Sequence, residues 1–284
     1  MSLKQAIVLF EQHHLTNENK YDPFIITDIL ADYSGKHGMP IIHFWTMTNQ
    51  LILGMQDTRV TDLSDAISSV RSHHYHPVVR NSGGLAVVAD DGILNFSMIL
   101  PQEFTNQTSI NHGYDTMKAI ISNALSSFNV TIDSFEVVNS YCPGEYDLSI
   151  NEKKFAGIAQ RRIKKGLSIM IYISVNGNQE KRGNLVQQFY QAGLKDKFGK
   201  ETFPPVDPNS MRNLSDLLQQ KLNVEQMQML IIEAISQNWT IDDTAQVKFN
   251  HFLTSDEFKE SYDKGYQRME QRNERINTIL KEVD

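Results

Sequence analysis

The feature that most limits the fold is a change of texture between residues 41 and 175. Short runs rich in Val, Ile and Phe (IIHFWTM, QLILGM, HPVVR, LAVVAD, ILNFSMIL, FEVV, LSIMIYISV) are separated there by Gly, Asn, Asp or Pro, the pattern of strands bounded by turns. Two helical patterns interrupt them. One runs from Leu63 to His73; the other, Tyr114 to Phe128, sets Met117, Ile120, Ile121, Ala124 and Leu125 on one stripe. Strands often follow one another directly, which argues against strict βαβα alternation. It predicts an α+β fold with a mixed, largely antiparallel sheet flanked by helices.

The flanking regions read as helical. The first forty residues give a helix with a loop, with Ile26, Ile29 and Leu30 on one face. Beyond Gly177, Leu217, Leu218, Leu222 and Met227 to Ile235 carry the apolar positions, and Pro204, Pro205 and Pro208 mark a loop. From Asp256, Phe258, Tyr262, Tyr266 and Met269 recur every three to four residues in a charged context, so a solvated amphipathic helix is expected and no chemistry is assigned to it. The expected organisation is an N-terminal helical segment (1–34), a main domain (35–240) and a helical C-terminal extension (241–284).

Composition removes several function classes. Lys and Arg number 27 against 34 Asp and Glu, a formal charge of −7, which makes non-specific nucleic-acid binding a poor fit. No stretch approaches the roughly 18 apolar residues of a membrane span. The N-terminal apolar patch is too short for a signal peptide, so a cytoplasmic protein that uses neither membrane nor nucleic acid is expected. A single cysteine excludes an internal disulfide framework and any multi-cysteine zinc site. His73, His74 and His76 cluster without a carboxylate or cysteine at metal-ligand spacing, so no metal site is assigned. Neither G-x-x-x-x-G-K-[ST] nor G-x-G-x-x-G occurs.

Three segments remain as places for chemistry. In Arg80-Asn81-Ser82-Gly83-Gly84, the glycines permit positive φ and a close approach to backbone. From these five residues alone an ordinary hairpin turn is the preferred reading; Arg80 at one end and Asp90, Gly92 and Asn95 at the other shift the balance towards a polar rim. In Ser140-Tyr141-Cys142-Pro143-Gly144-Glu145-Tyr146-Asp147, the lone cysteine occupies a turn-forming context. A free cysteine is more often a small buried hydrophobe than a nucleophile, but such residues usually face the core from regular elements. The stretch from Lys153 to Lys165 holds six basic residues in thirteen and no acidic one. It reads either as a solvated hairpin or as a local positive potential that would ionise a nearby thiol and attract an acidic partner.

Taken together, RNSGGLAVVADDGILNFS and SYCPGEYDLSINEKKFAGIAQRR resemble the superfamily of lipoate-protein ligases, octanoyltransferases and biotin ligases. Within it they resemble the octanoyl-[glycine cleavage H protein]:protein N-octanoyltransferases, or lipoyl amidotransferases, over roughly residues 35 to 240. The resemblance implies that superfamily's catalytic-domain fold. It also implies that Cys142 is the nucleophile of an acyl-thioester enzyme and Lys154 the lysine that lowers its pKa. Arg80, Ser82, Gly83, Gly84 and Asp90 match the segment lining the acyl tunnel; Gly157 and Gln160 match positions near the acyl carbonyl, and Asp147 closes the Cys-Pro-Gly-x-Tyr-Asp motif as a further binding residue. Two departures inform. Leu85 and Ala89 stand where lipoate ligases typically have a third glycine and a histidine. No cysteine follows the lysine motif, as it does in the lipoyl(octanoyl) transferase B type.

The resemblance therefore implies a two-step transfer in lipoate biosynthesis. An octanoyl or lipoyl group would pass from a lysine of glycine cleavage H protein to Cys142, then to lysines of the lipoyl domains of 2-oxoacid dehydrogenase E2 subunits. The Lys154 ammonium would stabilise the thiolate and exchange protons with the amines, and backbone N–H groups would hold the oxyanion. Burying about seven carbons at roughly 0.8 kcal/mol each supplies about 5–6 kcal/mol of binding. The covalent acyl group is the substrate and no cofactor is implied. Lys153, Arg161, Arg162, Lys164 and Lys165 are the expected docking face for acidic carrier domains. An octanoyl-acyl carrier protein donor, an ATP-dependent lipoate ligase and a non-catalytic binder of lipoylated proteins stay open beside this reading.

Overall fold

The structure is a computed structural model that describes residues 4–102, 110–200 and 203–283. Its strands are β1 (Gln5–Leu15), β2 (Ile41–Met47), β3 (Gln50–Leu53), β4 (His76–Val79), β5 (Val87–Ala89), β6 (Ile93–Pro101), β7 (Asp133–Ser134), β8 (Asp147–Ile150), β9 (Lys153–Ile163), β10 (Gly166–Ser174) and β11 (Trp239–Ile241). Its helices are α1 (Asp22–His37), α2 (Leu63–Arg71), α3 (Ile110–Ala124), α4 (Gln179–Leu194), α5 (Leu214–Leu217), α6 (Val224–Ile235), α7 (Asp243–Leu253) and α8 (Asp256–Val283). The expected α+β class and mixed sheet are observed.

An eight-stranded sheet runs β11-β1-β2-β6-β10-β9-β8-β7, and a second sheet runs β4-β3-β5. The β11–β1, β1–β2 and β3–β4 pairs are parallel; the remaining ladders are antiparallel. One apolar layer joins the small sheet to α2, α4 and α8; another packs β6 and β10 against α3 and α6.

Two local expectations fail. Residues 5–15 form a strand, not a helix. The uninterrupted run Ala6 to Phe10 suits a strand covered on both faces: its adjacent Ile7 and Val8, which face opposite sides of the sheet, are both buried, each in a different apolar cluster. FEVV, 135–138, lies in a loop: the Val137 N–H is taken by the Asp147 carboxylate at 3.2 Å, and Phe135 and Val138 are exposed. Elsewhere the pattern holds. Ile26, Ile29 and Leu30 of α1 are buried, and Gly38 in the left-handed region caps its end by donating to Ser34 O. The C-terminal helices are present; α8 buries Met269, Asn273 and Ile276 and exposes Tyr266. Among the described residues no helix is long and apolar enough to cross a membrane.

Candidate functional site

The small sheet decides between the two readings of the Gly-Gly segment. β3 lies between β4 and β5, so residues 80–86 cannot be a hairpin turn. They cross the end of β3 instead, and Arg80 N donates to Leu53 O at 2.9 Å. Gly84 has φ +98°, and a Cβ there would fall 2.3 Å from Arg80 Nη2 and 3.1 Å from Cys142 Sγ. The backbone conformation requires glycine, and a Cβ would push the Arg80 guanidinium away from its place beside the sulfur.

Cys142 faces this crossing from the loop before β8. Its sulfur accepts the Leu85 backbone N–H at 3.1 Å and Arg80 Nη2 at 3.6 Å; the same Nη2 donates to Leu85 O at 2.8 Å. Two donors are thus aimed at the sulfur from the Gly-Gly crossing. Cys142 has φ +46°, a costly conformation for a side chain with a Cβ, so the surroundings must hold it there.

Lys154 does much of that holding. Its side chain is wholly buried in β9, and Nζ is held by four oxygens: Cys142 O at 2.7 Å, Asp147 Oδ1 at 2.9 Å, Tyr141 O at 3.0 Å and Ser140 Oγ at 3.2 Å. An ammonium has three N–H donors, so four acceptors occupy it fully. In this arrangement the sulfur's donors come from Arg80 and Leu85, while Lys154 fixes the loop carbonyls. Burial pushes the Asp147 carboxyl up from its ordinary range, against the pull of Lys154 and of the Val137 and Gly144 N–H groups.

The other side of the thiol rests on Asp57. It is buried, and it accepts Gly54 N and Tyr190 OH, each at 2.7 Å. Burial pushes its carboxyl up to about 6. This contact fixes Gly54, where a Cβ would meet Gly84 O at 1.9 Å. Asp57 therefore supports the close backbone crossing that presents Leu85 N–H to the sulfur.

Cys142 opens into a cavity of about 330 Å³, walled by apolar groups such as Trp45, Ile52, Val87, Phe96 and Ile158. That volume lies at the small end of ligand sites, roughly 300–1,000 Å³. Residues lining it carry two buried donors without a hydrogen-bond partner, Arg80 Nε and Asn95 Nδ2; the Tyr172 phenol beside them is shared with Tyr141. Burial pushes the Tyr172 phenol well above its ordinary pKa. A narrow apolar space with a thiol and unmatched donors suits an acyl chain ending in a carbonyl.

Of the residues singled out from the sequence, Arg80, Ser82, Gly83, Gly84, Cys142, Asp147, Gly157 and Gln160 line this cavity, and Lys154 stands behind it. Asp90 is placed elsewhere: it takes Arg182 Nε and Tyr75 OH, each at 2.6 Å, and ties the end of β5 to α4. The basic stretch does not make one face. Strand alternation and the eleven-residue length of β9 disperse it. Lys153 donates to Asn209 O; Arg161 binds Asp28 through two nitrogens and donates to Asn81 O; Lys164 pairs with Asp32. Arg162 and Lys165 are exposed. Arg161 is thus an internal tie on the Gly-Gly segment. Asp57, Tyr172 and the Leu85 N–H escaped the sequence reading. A tyrosine within the apolar run LSIMIYISV was the one available signal; a backbone donor leaves none. Among the described residues no three His, Cys, Asp or Glu side chains converge as metal ligands.

This geometry can be set beside known proteins. Residues 19–236 match the family described as the lipoyl protein ligase A/B catalytic domain. The octanoyl-[GcvH]:protein N-octanoyltransferase of Geobacillus kaustophilus is 42% identical over 205 residues, 72% of each chain. The lipoyl-[GcvH]:protein N-lipoyltransferase of Listeria monocytogenes is 40% identical over 225 residues, 78% of this chain and 81% of that one. In fold, the chain is similar to a bipartite lipoate protein ligase of Thermoplasma acidophilum, with a TM-score of 0.60 and 19% identity over 84% of this chain and 86% of that one. The chain belongs to the lipoyl protein ligase A/B catalytic-domain family, in the branch that contains the [GcvH]:protein N-octanoyl- and N-lipoyltransferases.

Proposed function

We propose that the protein is an acyltransferase that takes an octanoyl group from a lysine of octanoylated GcvH and delivers it, through a Cys142 thioester, to lysines of E2 lipoyl domains. The observation that carries this reading is the Cys142 sulfur held by two donors at the mouth of an apolar cavity whose size and unmatched donors suit an acyl chain and its carbonyl. The names of the relatives support the donor and the reaction type.

In the first step the thiolate attacks the amide carbonyl carbon, the C–N bond breaks and the leaving lysine amine takes up a proton from water, which the acceptor amine returns in the second step. Asn95 Nδ2 is the group we assign to the developing oxyanion. In the second step a neutral acceptor amine attacks the thioester, loses a proton and regenerates the thiolate. One amide is exchanged for another, so no nucleotide or metal enters the scheme. Lys154 acts by holding Cys142 in its left-handed conformation with its carbonyl fixed. Arg162 and Lys165 are the basic residues left for an acidic carrier.

The relative named for lipoyl transfer motivates testing that group beside octanoyl. The experiment incubates the protein with octanoylated or lipoylated GcvH and an apo lipoyl domain, without ATP, and follows acceptor mass. Transfer without nucleotide, and back-transfer from the acylated acceptor to apo GcvH, is the expected result. Acceptor modification only with ATP and free acid would replace this reading with a ligase. Octanoyl-acyl carrier protein working where GcvH does not would replace the donor.

A further inference from the structure

We infer that α8 is a positioning element of the acyl-transfer site, acting through Asn273 on the strand that delivers Arg80. The inference rests on Cys142 being the reactive thiol, and it gives the C-terminal helix a function beyond packing. Asn273 is wholly buried although it lies on a highly charged helix. Its Oδ1 accepts Val79 N at 2.7 Å; its Nδ2 donates to Val79 O at 3.0 Å and to Met269 O at 3.0 Å. Val79 ends β4, an edge strand whose other side pairs with β3. Backbone groups alternate in direction along a strand, so Val79 presents N–H and C=O to the helix while Arg80 N–H turns the other way, to Leu53 O. One side-chain amide thus stands in for a missing strand. A side-chain amide offers a donor and an acceptor side by side, as a strand backbone does.

The consequence lies one residue on. Arg80 follows Val79 directly, and its guanidinium is what reaches Leu85 O and Cys142 Sγ. β3 holds the strand end from one side and Asn273 from the other, so the helix fixes the point from which the arginine extends. Loss of the amide leaves two buried backbone groups unmatched and frees the strand end to shift. The Nη2–Sγ contact, already 3.6 Å, lengthens first.

The test reads thiol chemistry without any carrier protein. Iodoacetamide alkylation of Cys142 in the full chain is followed at about pH 7 and about pH 10, and the ratio of the two rates reports how well the folded site stabilises thiolate. Asn273→Ala is expected to lower that ratio about threefold or more relative to the unaltered protein. Asn277→Ala, which removes another α8 anchor by deleting the bond to Tyr21 OH, is expected to leave it unchanged. In an Arg80→Ala background the Asn273 substitution should add no further change. If Asn273→Ala does not fold, Asn273→Asp, which keeps the acceptor for Val79 N–H and loses the donor, is read in the same way. A ratio unchanged in the folded Asn273 variant, equal loss in Asn277→Ala, or full additivity with Arg80→Ala would each overturn the inference. Because no acyl donor is present, these outcomes are independent of whether the protein transfers octanoyl groups.

Discussion

Two buried aspartates stand behind the Cys142 thiol, one on each side, and they are neutralised in different ways. Asp147 has an ammonium in contact, Lys154 Nζ at 2.9 Å, and together they lock the loop that carries the cysteine. Asp57 accepts from a phenol and a backbone N–H, and supports the glycine crossing that carries the sulfur's donors. Burial raises both carboxyls. The lesson concerns the division of labour: the ion pair on one side holds backbone shape, while the side without a full ion pair presents Arg80 and Leu85 to the sulfur. A cation near a thiol in sequence need not be the cation that touches it.

The sharpest way to break this contrast is to remove the ammonium. Lys154→Met leaves Asp147 buried without its partner, and unfolding stability near neutral pH is expected to fall by about 3–5 kcal/mol. The deficit should shrink as pH is lowered and Asp147 takes up a proton. Urea titrations over a pH series, with Asp147→Asn added to restore stability but not transfer, would check this. Wild-type stability in Lys154→Met would place the loop's rigidity elsewhere.

The opposite side predicts a different pH signature. The folded protein holds the Asp57 proton more tightly than the unfolded chain does, so raising the pH from about 4 to about 6 favours unfolding at this site. Relative to Asp57→Asn, the wild type should therefore lose about 2 kcal/mol of stability across that interval, from a carboxyl pushed up to about 6. The difference between the two proteins, measured by urea unfolding at each pH, isolates the effect. A flat difference would mean that Asp57 is not the group that titrates.

The smallest energetic change should have the most selective effect on chemistry. Arg80→Gln removes a charged donor from the sulfur, worth about 1.5–3 kcal/mol. Acyl-enzyme formation should slow by roughly 10- to 100-fold. Unfolding stability should move by less than about 1 kcal/mol, in contrast with Lys154→Met. Stopped reactions analysed by mass give the rate. A variant that loses stability but keeps its rate would merge the two sides into one structural role.

The candidate site is legible in the sequence where its residues are contiguous and not where they meet only on folding. Cys142, Lys154 and the Gly-Gly segment sit in short motifs whose residue types are unusual for their setting, so they were legible. The central strands were legible because period-two patterning and turn residues are local. Residues 5–15 were not, because β1 is covered on both faces, Ile7 in one apolar cluster and Val8 in another, and its partners β2 and β11 lie far along the chain. The basic stretch misled for a related reason. Linear charge density becomes a surface only when side chains share a face, and here Lys154 is buried while Arg161 is tied to Asp28. Asp57, Leu85 N–H and Asn273 act through contacts made only on folding.

The central claim is that Cys142 carries the acyl group, and intact mass spectrometry tests it directly. The protein is mixed with excess octanoylated GcvH, quenched in acid and weighed, then digested to locate any adduct. A gain of about 126 Da on Cys142, removed by hydroxylamine and missing from Cys142→Ala, is the predicted result. No gain while the carrier remains acylated, or an adduct mapped to a different residue, would contradict it.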